Sequence, residues 1–280
     1  MSIDELVLHP TLYRHVRAYS TDPPHAILLY GKKSSGKATL AQAIAEDIIS
    51  TRKGSSIVEI APLEERKIIS IDQIRQLKIM LRTKSSAYRI ILIPDADILT
   101  LEAQNTFLKL LEEPPVGVVF LLTSSKPESL LPTIRSRLLK LRYISPTKEQ
   151  QIEYANKYST ENFDTALRIA EGRIPVLKAL VDAGDSNPTL EYIELAKDIL
   201  SEQKEERLIR VDAMSKDNAQ TEAVIEALLV TSMAALRHSL ENKRDYSSWL
   251  KRVRAVEQAQ NQLNRNVLTK LVLCRLFLVL

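Results

Sequence analysis

The chain has 280 residues, 45% hydrophobic and 26% charged, the balance of an ordinary globular protein long enough for two or three domains with cores of their own. Its net charge of +4 is compatible with contact to a phosphate backbone without arguing for it, and an aromatic content of 5% argues against a base-stacking surface. No apolar run approaches the roughly 18 residues that cross a bilayer. MSIDELVLHP has neither the basic start nor the apolar core of a signal peptide, and the lone Cys274 excludes an internal disulfide. The expectation is a cytoplasmic protein without membrane contact.

In chain order, Leu6, Leu8, Leu12, Val16 and Tyr19 precede Asp22-Pro23-Pro24, which ends a helix expected from Thr11. His25 leads into a buried strand, Ala26 to Tyr30, rather than reading as a catalytic group. That strand runs straight into GKKSSGKA, after which Leu40, Ala41, Ile44, Ala45 and Ile48 mark one face of a helix. The run fits the phosphate-loop pattern G-x-x-x-x-G-K-[ST] at every fixed place but the last. Glycines let the backbone curl so that its N–H groups face a phosphate, the lysine adds a point charge, and the helix start adds partial positive charge. The candidate binding residues are Gly31, Lys32, Ser34, Ser35, Gly36, Lys37, Ala38 and Thr39. Ala38 has no hydroxyl for Mg²⁺, and Thr39 is expected about 100° further round the helix. The loop therefore reads as degenerate. No cofactor is required, ATP or ADP without normal Mg²⁺ ligation stays open, and no resident metal is expected.

A strand is expected at Ile57–Ile60, then a strand-to-helix element from Ile69 through Leu81. Arg82, Lys84 and Arg89 read as a solvated basic face. Ile90 to Ile93 is a short strand buried on both faces. Thr100 is a plausible N-cap with Glu102 in the first turn, and Leu101, Gln104, Phe107, Leu108 and Leu111 follow at helical spacing up to Pro114-Pro115. Val118 to Leu122 gives another buried strand, Ser124 to Pro127 a turn, and Leu139 to Tyr143 a last strand. Strand and helix in alternation predict a parallel α/β sheet.

The run AQN-x-x-LK-x-LEEPP at Ala103–Pro115, followed by a strand and then by LLPTIRSR at Leu130–Arg137, resembles the clamp-loader branch of the AAA+ ATPases. Within it, the likeness is to the delta-prime type of bacterial clamp-loader subunit. It covers the first half of the chain well, and the second half by its helical layout. The resemblance implies Pro94 where an active motor has the Mg²⁺-holding Asp, and Asp95 where it has the Glu that polarises water. It places the polar sensor at Ser124 or Ser125, and Pro175 where the lid of an active member carries an arginine, with Arg173 nearby. The zinc module of many relatives is absent, for want of cysteines. Arg137 closes the family's Ser-Arg-Cys motif, with Leu138 in place of the cysteine. By resemblance Arg137 is a catalytic arginine finger acting in trans on a neighbour's ATP.

Thr147 and Gln150 fit a capping box opening a helical lid. Further helices are expected at 189–202, 203–214, 219–241, 246–263 and 265–279, with Leu228, Leu229, Met233 and Leu236 on a core face and Lys251, Arg252 and Arg254 solvated. Val267 to Leu280 is apolar round most of its circumference, which calls for burial in its own bundle or against another chain. The expected architecture is a parallel-sheet α/β AAA+ domain at 1–144 with a degenerate site, a helical lid at 145–185 and an all-α collar at 186–280. The expected role is a non-hydrolysing clamp-loader subunit. Its implied partners are the motor subunits, a delta-like subunit and the sliding clamp, with primer–template DNA met through the complex. An active motor subunit, of gamma/tau type or like a small subunit of replication factor C, is the alternative. A stand-alone branch-migration motor ranks third.

Overall fold

A computed structural model of the chain describes residues 2–52, 54–62, 68–82, 87–156, 163–170, 172–181, 188–264 and 267–280. The chain forms two compact units, Met1–Tyr154 with Gly172–Pro175, and Ala155–Glu171 with Val176–Leu280. The sequence-based division into three is finer than this.

The elements of the first unit are α1 (Pro10–Thr21), β1 (Ala26–Tyr30), α2 (Lys37–Ser50), β2 (Ser56–Glu59), α3 (Ile71–Leu81), β3 (Arg89–Ile93), α4 (Leu101–Glu112), β4 (Val118–Ser124), α5 (Pro132–Arg135), β5 (Leu139–Arg142) and α6 (Lys148–Asn156). The strands form one parallel sheet in the order β2-β3-β4-β1-β5. Helices cover both faces, which is why β1, β3 and β4 read as unbroken apolar runs. One face packs on Ile74, Leu77, Phe107 and Leu111, and the other on Leu12, Val16, Leu40, Ile44 and Ile48. Phe107 meets Phe120 edge to face, with ring centroids 5.2 Å apart.

Local chemistry sets the element ends. Thr100 accepts the Ala103 N–H at 3.2 Å, and α4 stops before Pro114. Thr147 and Gln150 close the expected capping box, and Gln150 also donates to the Leu8 carbonyl at 2.9 Å. Ile69 makes only an isolated bridge to Leu99 where a short strand was expected. His25 accepts the Phe120 N–H on its carbonyl and, exposed, serves the strand start. Arg89 is no free member of a basic face. Its guanidinium donates to the carbonyls of Met80 and Leu81 at the end of α3, groups that the helix itself leaves unpaired. Lys84 lies outside the described residues, as does 182–187, which holds the expected boundary between lid and collar.

The helices that follow are α7 (Phe163–Ala170), α8 (Ile174–Val181), α9 (Pro188–Ser201), α10 (Lys204–Met214), α11 (Asn218–Glu241), α12 (Ser247–Asn264) and α13 (Thr269–Val279). In the second unit α11 packs on α9 and α12, and α13 on α10 and α12. By length and composition α11 could span a membrane, which the search for a single unbroken apolar run missed. In the bundle it buries Val224, Ile225 and Leu228, while Leu229, Met233 and Leu236 are half-buried.

One expectation needs correcting here. Arg252 is not simply solvated: it stacks 4.8 Å over the Trp249 ring and donates to the Leu200 carbonyl, whereas Lys251 and Arg254 are exposed. The C-terminal apolar run is only half covered. Val272, Leu273, Leu276 and Phe277 are buried, but Leu271 is 63% exposed, Leu278 50% and Val279 55%.

Candidate functional site

In a parallel sheet of this order, the carboxyl ends of β1, β3 and β4 lie side by side where the chain direction switches, the usual place for a ligand crevice. The loop after β1 opens there. Gly36 caps α2 in the left-handed region, at φ 101°, and Ser34 also has positive φ. Lys37 is 5% exposed and donates from Nζ to the Lys32 carbonyl at 2.6 Å. Burial lowers the pKa of its ammonium, and the charges of Asp95 and Asp97 oppose that shift. Ser35 is buried, and its hydroxyl has no hydrogen-bond partner among the described residues.

Tyr143 lies along this loop, a contact not visible in the motif. A Cβ at Gly31 would stand 3.1 Å from Tyr143 Cβ. One at Gly36 would stand 3.3 Å from the Tyr143 hydroxyl and 3.4 Å from Pro175 Cγ. The ring arrives there because Tyr143 N–H continues the sheet, donating to the Tyr30 carbonyl at 2.8 Å. Burial pushes the phenol up to about 12.

Beside α2 is a cavity of about 450 Å³ lined by Ala38, Thr39, Gln42, Glu59, Pro94 and Thr123 among others. Thr39, about 100° further round the helix than Ala38, lines it as well, because the cavity spans two consecutive positions of the exposed helix start. Ala38 and Pro94, the positions that the resemblance aligns with the Mg²⁺ ligands of an active motor, both line the cavity with hydrocarbon. Neither side chain has an oxygen for a cation, so Mg²⁺ does not fit at these positions. Glu59 and Thr123 were not singled out from sequence. A carboxyl-end position on a parallel strand is the signal that finds both.

Of the acids after β3, Asp97 holds structure with its carboxylate, and Asp95 contributes its backbone N–H. Asp95 is exposed and adopts φ 51°, and its N–H donates to Thr123 Oγ1 at 3.0 Å. Asp97 accepts from the Ser124 hydroxyl and from the N–H groups of Ser125 at 2.7 Å and Lys126 at 3.1 Å, fastening the turn after β4. Ser124 is fully buried with its hydroxyl committed to Asp97, so the polar side chain that reaches the cavity from β4 is Thr123.

Arg137 is positioned from α4. Gln104, 4% exposed, donates to the carbonyls of Leu99 at 3.1 Å and Ser129 at 3.3 Å, and accepts the Leu131 N–H at 2.8 Å. This sets the entry to α5. Ile134 and Leu138 are buried on either side of Arg137, whose N–H closes the turn on the Ile134 carbonyl. The guanidinium donates to the Thr133 carbonyl at 2.9 Å and pairs with Glu112 at 2.9 Å, with 36% of the side chain exposed. It is not among the residues lining the cavity beside α2.

A family model described as DNA polymerase III, delta subunit, matches residues 13–146. The DNA polymerase III subunit delta′ of Pseudomonas aeruginosa is 26% identical over 204 residues, 64% of this chain and 62% of that protein. The match thus spans less than two thirds of that relative. The delta′ subunit of Escherichia coli is 33% identical over 119 residues, 40% of this chain and 35% of that one. A replication factor C small subunit of Methanococcus maripaludis is 26% identical over 221 residues, 77% of this chain and 68% of that one. In fold, the chain resembles a DNA polymerase III gamma subunit-related protein of Thermotoga maritima, with TM-score 0.60 and 20% identity over 95% of this chain and 97% of that one. The architecture shared with that structure is an α/β domain with a parallel sheet followed by an all-helical region. Sheet order, the Ala103–Pro115 and Leu130–Arg137 motifs and these relatives agree on one likeness, to the bacterial clamp-loader family.

Proposed function

We propose that this chain is a non-hydrolysing, delta-prime-like subunit of the DNA polymerase III clamp loader. It supplies Arg137 to the ATP site of a neighbouring motor subunit while the sliding clamp is loaded onto primed DNA. The observation that carries this reading is a contrast within one domain. Arg137 is kept, half-exposed and held by a structured turn, whereas the chain's own site has hydrocarbon at both Mg²⁺-ligating positions, Ala38 and Pro94. A permanently charged, planar guanidinium suits the neutralisation of charge developing on a γ-phosphate. Tyr143 and Pro175 crowding Gly36 speak for a loop retained for its shape. The exposed apolar side of α13 suits a collar shared with other subunits in the cytoplasm, with DNA met through the assembly. Within this reading the domain boundaries at 144 and 185 separate motor-type domain, lid and collar.

The test begins with ATP turnover by the purified chain, with Mg²⁺ and primed DNA, where none is expected. In the complex reconstituted with gamma-type motor and delta-like subunits, Arg137→Ala lowers turnover without dispersing the assembly. Unchanged turnover in the assembled variant would reject the finger. One observation favours a second reading, an active motor like a replication factor C small subunit. Thr39 and Glu59 share the cavity with Ala38 and Pro94 and put a hydroxyl and a carboxylate beside the vacant ligand positions. Intrinsic turnover abolished by Lys37→Ala would put that reading first.

A further inference from the structure

Glu112 is the last residue of α4 and the first glutamate of the LEEPP run. Its backbone is fixed from both directions. Leu110 and Leu111 before it are buried, and Pro114-Pro115 two residues later cannot continue the helix. Arg137 is anchored in the same way by Ile134 and Leu138, and these four apolar side chains belong to one core cluster. Glu112 and Arg137 thus face each other from two elements that the core holds at a set distance, 25 residues apart in sequence. Their pair measures 2.9 Å, while the other terminal nitrogen of Arg137 is held by the Thr133 carbonyl, also at 2.9 Å. Two contacts to two nitrogens of a planar group fix its plane and direction, which one contact cannot do. The adjacent Glu113 makes no pair with Arg137, so the chain contains its own control.

We propose that Glu112 is the positioning residue of Arg137, holding the guanidinium in the direction in which a neighbouring subunit's triphosphate meets it. This rests on the reading of Arg137 as a finger. An exposed pair of this kind is weak, and its service is orientation rather than stability. The test uses the reconstituted clamp-loader complex and compares Glu112→Gln, Glu112→Asp, Glu113→Gln, Arg137→Ala and the double variant Glu112→Gln/Arg137→Ala. Glu112→Gln is expected to lower kcat about two- to five-fold, the scale of one exposed contact that ceases to hold a rotamer, with KM for ATP and assembly unchanged. Glu112→Asp recovers part of the loss, Glu113→Gln behaves as wild type, and the double variant turns over no more slowly than Arg137→Ala. Wild-type kcat in Glu112→Gln, alongside a large loss in Arg137→Ala, overturns the positioning role while leaving the finger intact. A further loss in the double variant also overturns it, by showing that Glu112 acts through something else. A neutral Arg137→Ala removes the finger reading, and this one with it.

Discussion

Tyr143 illustrates how much a single buried phenol can report. Its pKa is raised from 10.0 to about 12 by burial, so the folded state holds the proton more tightly than the unfolded chain. The stabilisation is complete below pH 10 and is lost as pH climbs from 10 towards 12, a swing on the order of 2–3 kcal/mol. Tyr143→Phe is expected to flatten that alkaline limb in denaturant titrations; an unchanged limb would assign the loss to other groups. Gln104 is the other informative side chain. Gln104→Ala strips the Leu131 N–H and the Leu99 carbonyl of buried partners and is expected to cost about 2–4 kcal/mol, read as a lower urea midpoint. Neither contact was legible beforehand. The spacing of Gln104 marked it only as one position on a helix face, and nothing local joins Tyr143 to Gly36. Such pairings form through the sheet, between residues far apart in sequence. The pairing of Glu112 with Arg137 escaped notice for the same reason, although both residues lay inside motifs already singled out.

Elements were far more legible, because periodicity and punctuation are local. Thr100 followed by Glu102, and the Pro114-Pro115 stop, define α4 to within a residue of its observed span. The run from Ala26 to Tyr30 into a glycine-rich loop defines β1 and the start of α2 in the same way. Thr100→Ala is expected to remove about 1 kcal/mol and to lower the melting temperature by roughly 2–4 °C. A loss well beyond that would mean the cap also supports the bridge between Ile69 and Leu99. Failures at this scale came where tertiary contact overrode local reading. Arg89 and Arg252 were read as surface cations, yet each closes the end of a helix packed beside it, at Met80–Leu81 and at Leu200.

At the scale of the whole molecule, the parallel sheet, though not the order of its strands, and the helical C-terminal half followed from alternating strand and helix giving way to helix alone. The fate of the last helix did not. Its composition demanded burial all round, and the chain by itself covers only one side. Arg207 donates to the Phe277 carbonyl and Lys270 pairs with Asp212, so α13 is fastened to α10 by its inner side with Leu271 and Leu278 left outward. Replacing Leu271 and Leu278 together by lysine is expected to leave the helical circular dichroism unchanged and to weaken assembly with motor subunits in sedimentation. Full-strength assembly would place the subunit contact elsewhere.

The crowding at Gly36 bears on what a motif match means. The φ of 101° already disfavours any other residue, and a methyl group would have to displace the Tyr143 hydroxyl or the Pro175 ring. Gly36→Ala should therefore destabilise the fold by about 1–3 kcal/mol with no nucleotide in the tube. Two unrelated demands, a ligand's and a neighbouring side chain's, spell the same letters at this loop. If the first were withdrawn, the second would keep the spelling intact, and a search for the pattern would return the same match for a loop that cradles a phosphate and for one that supports a tyrosine.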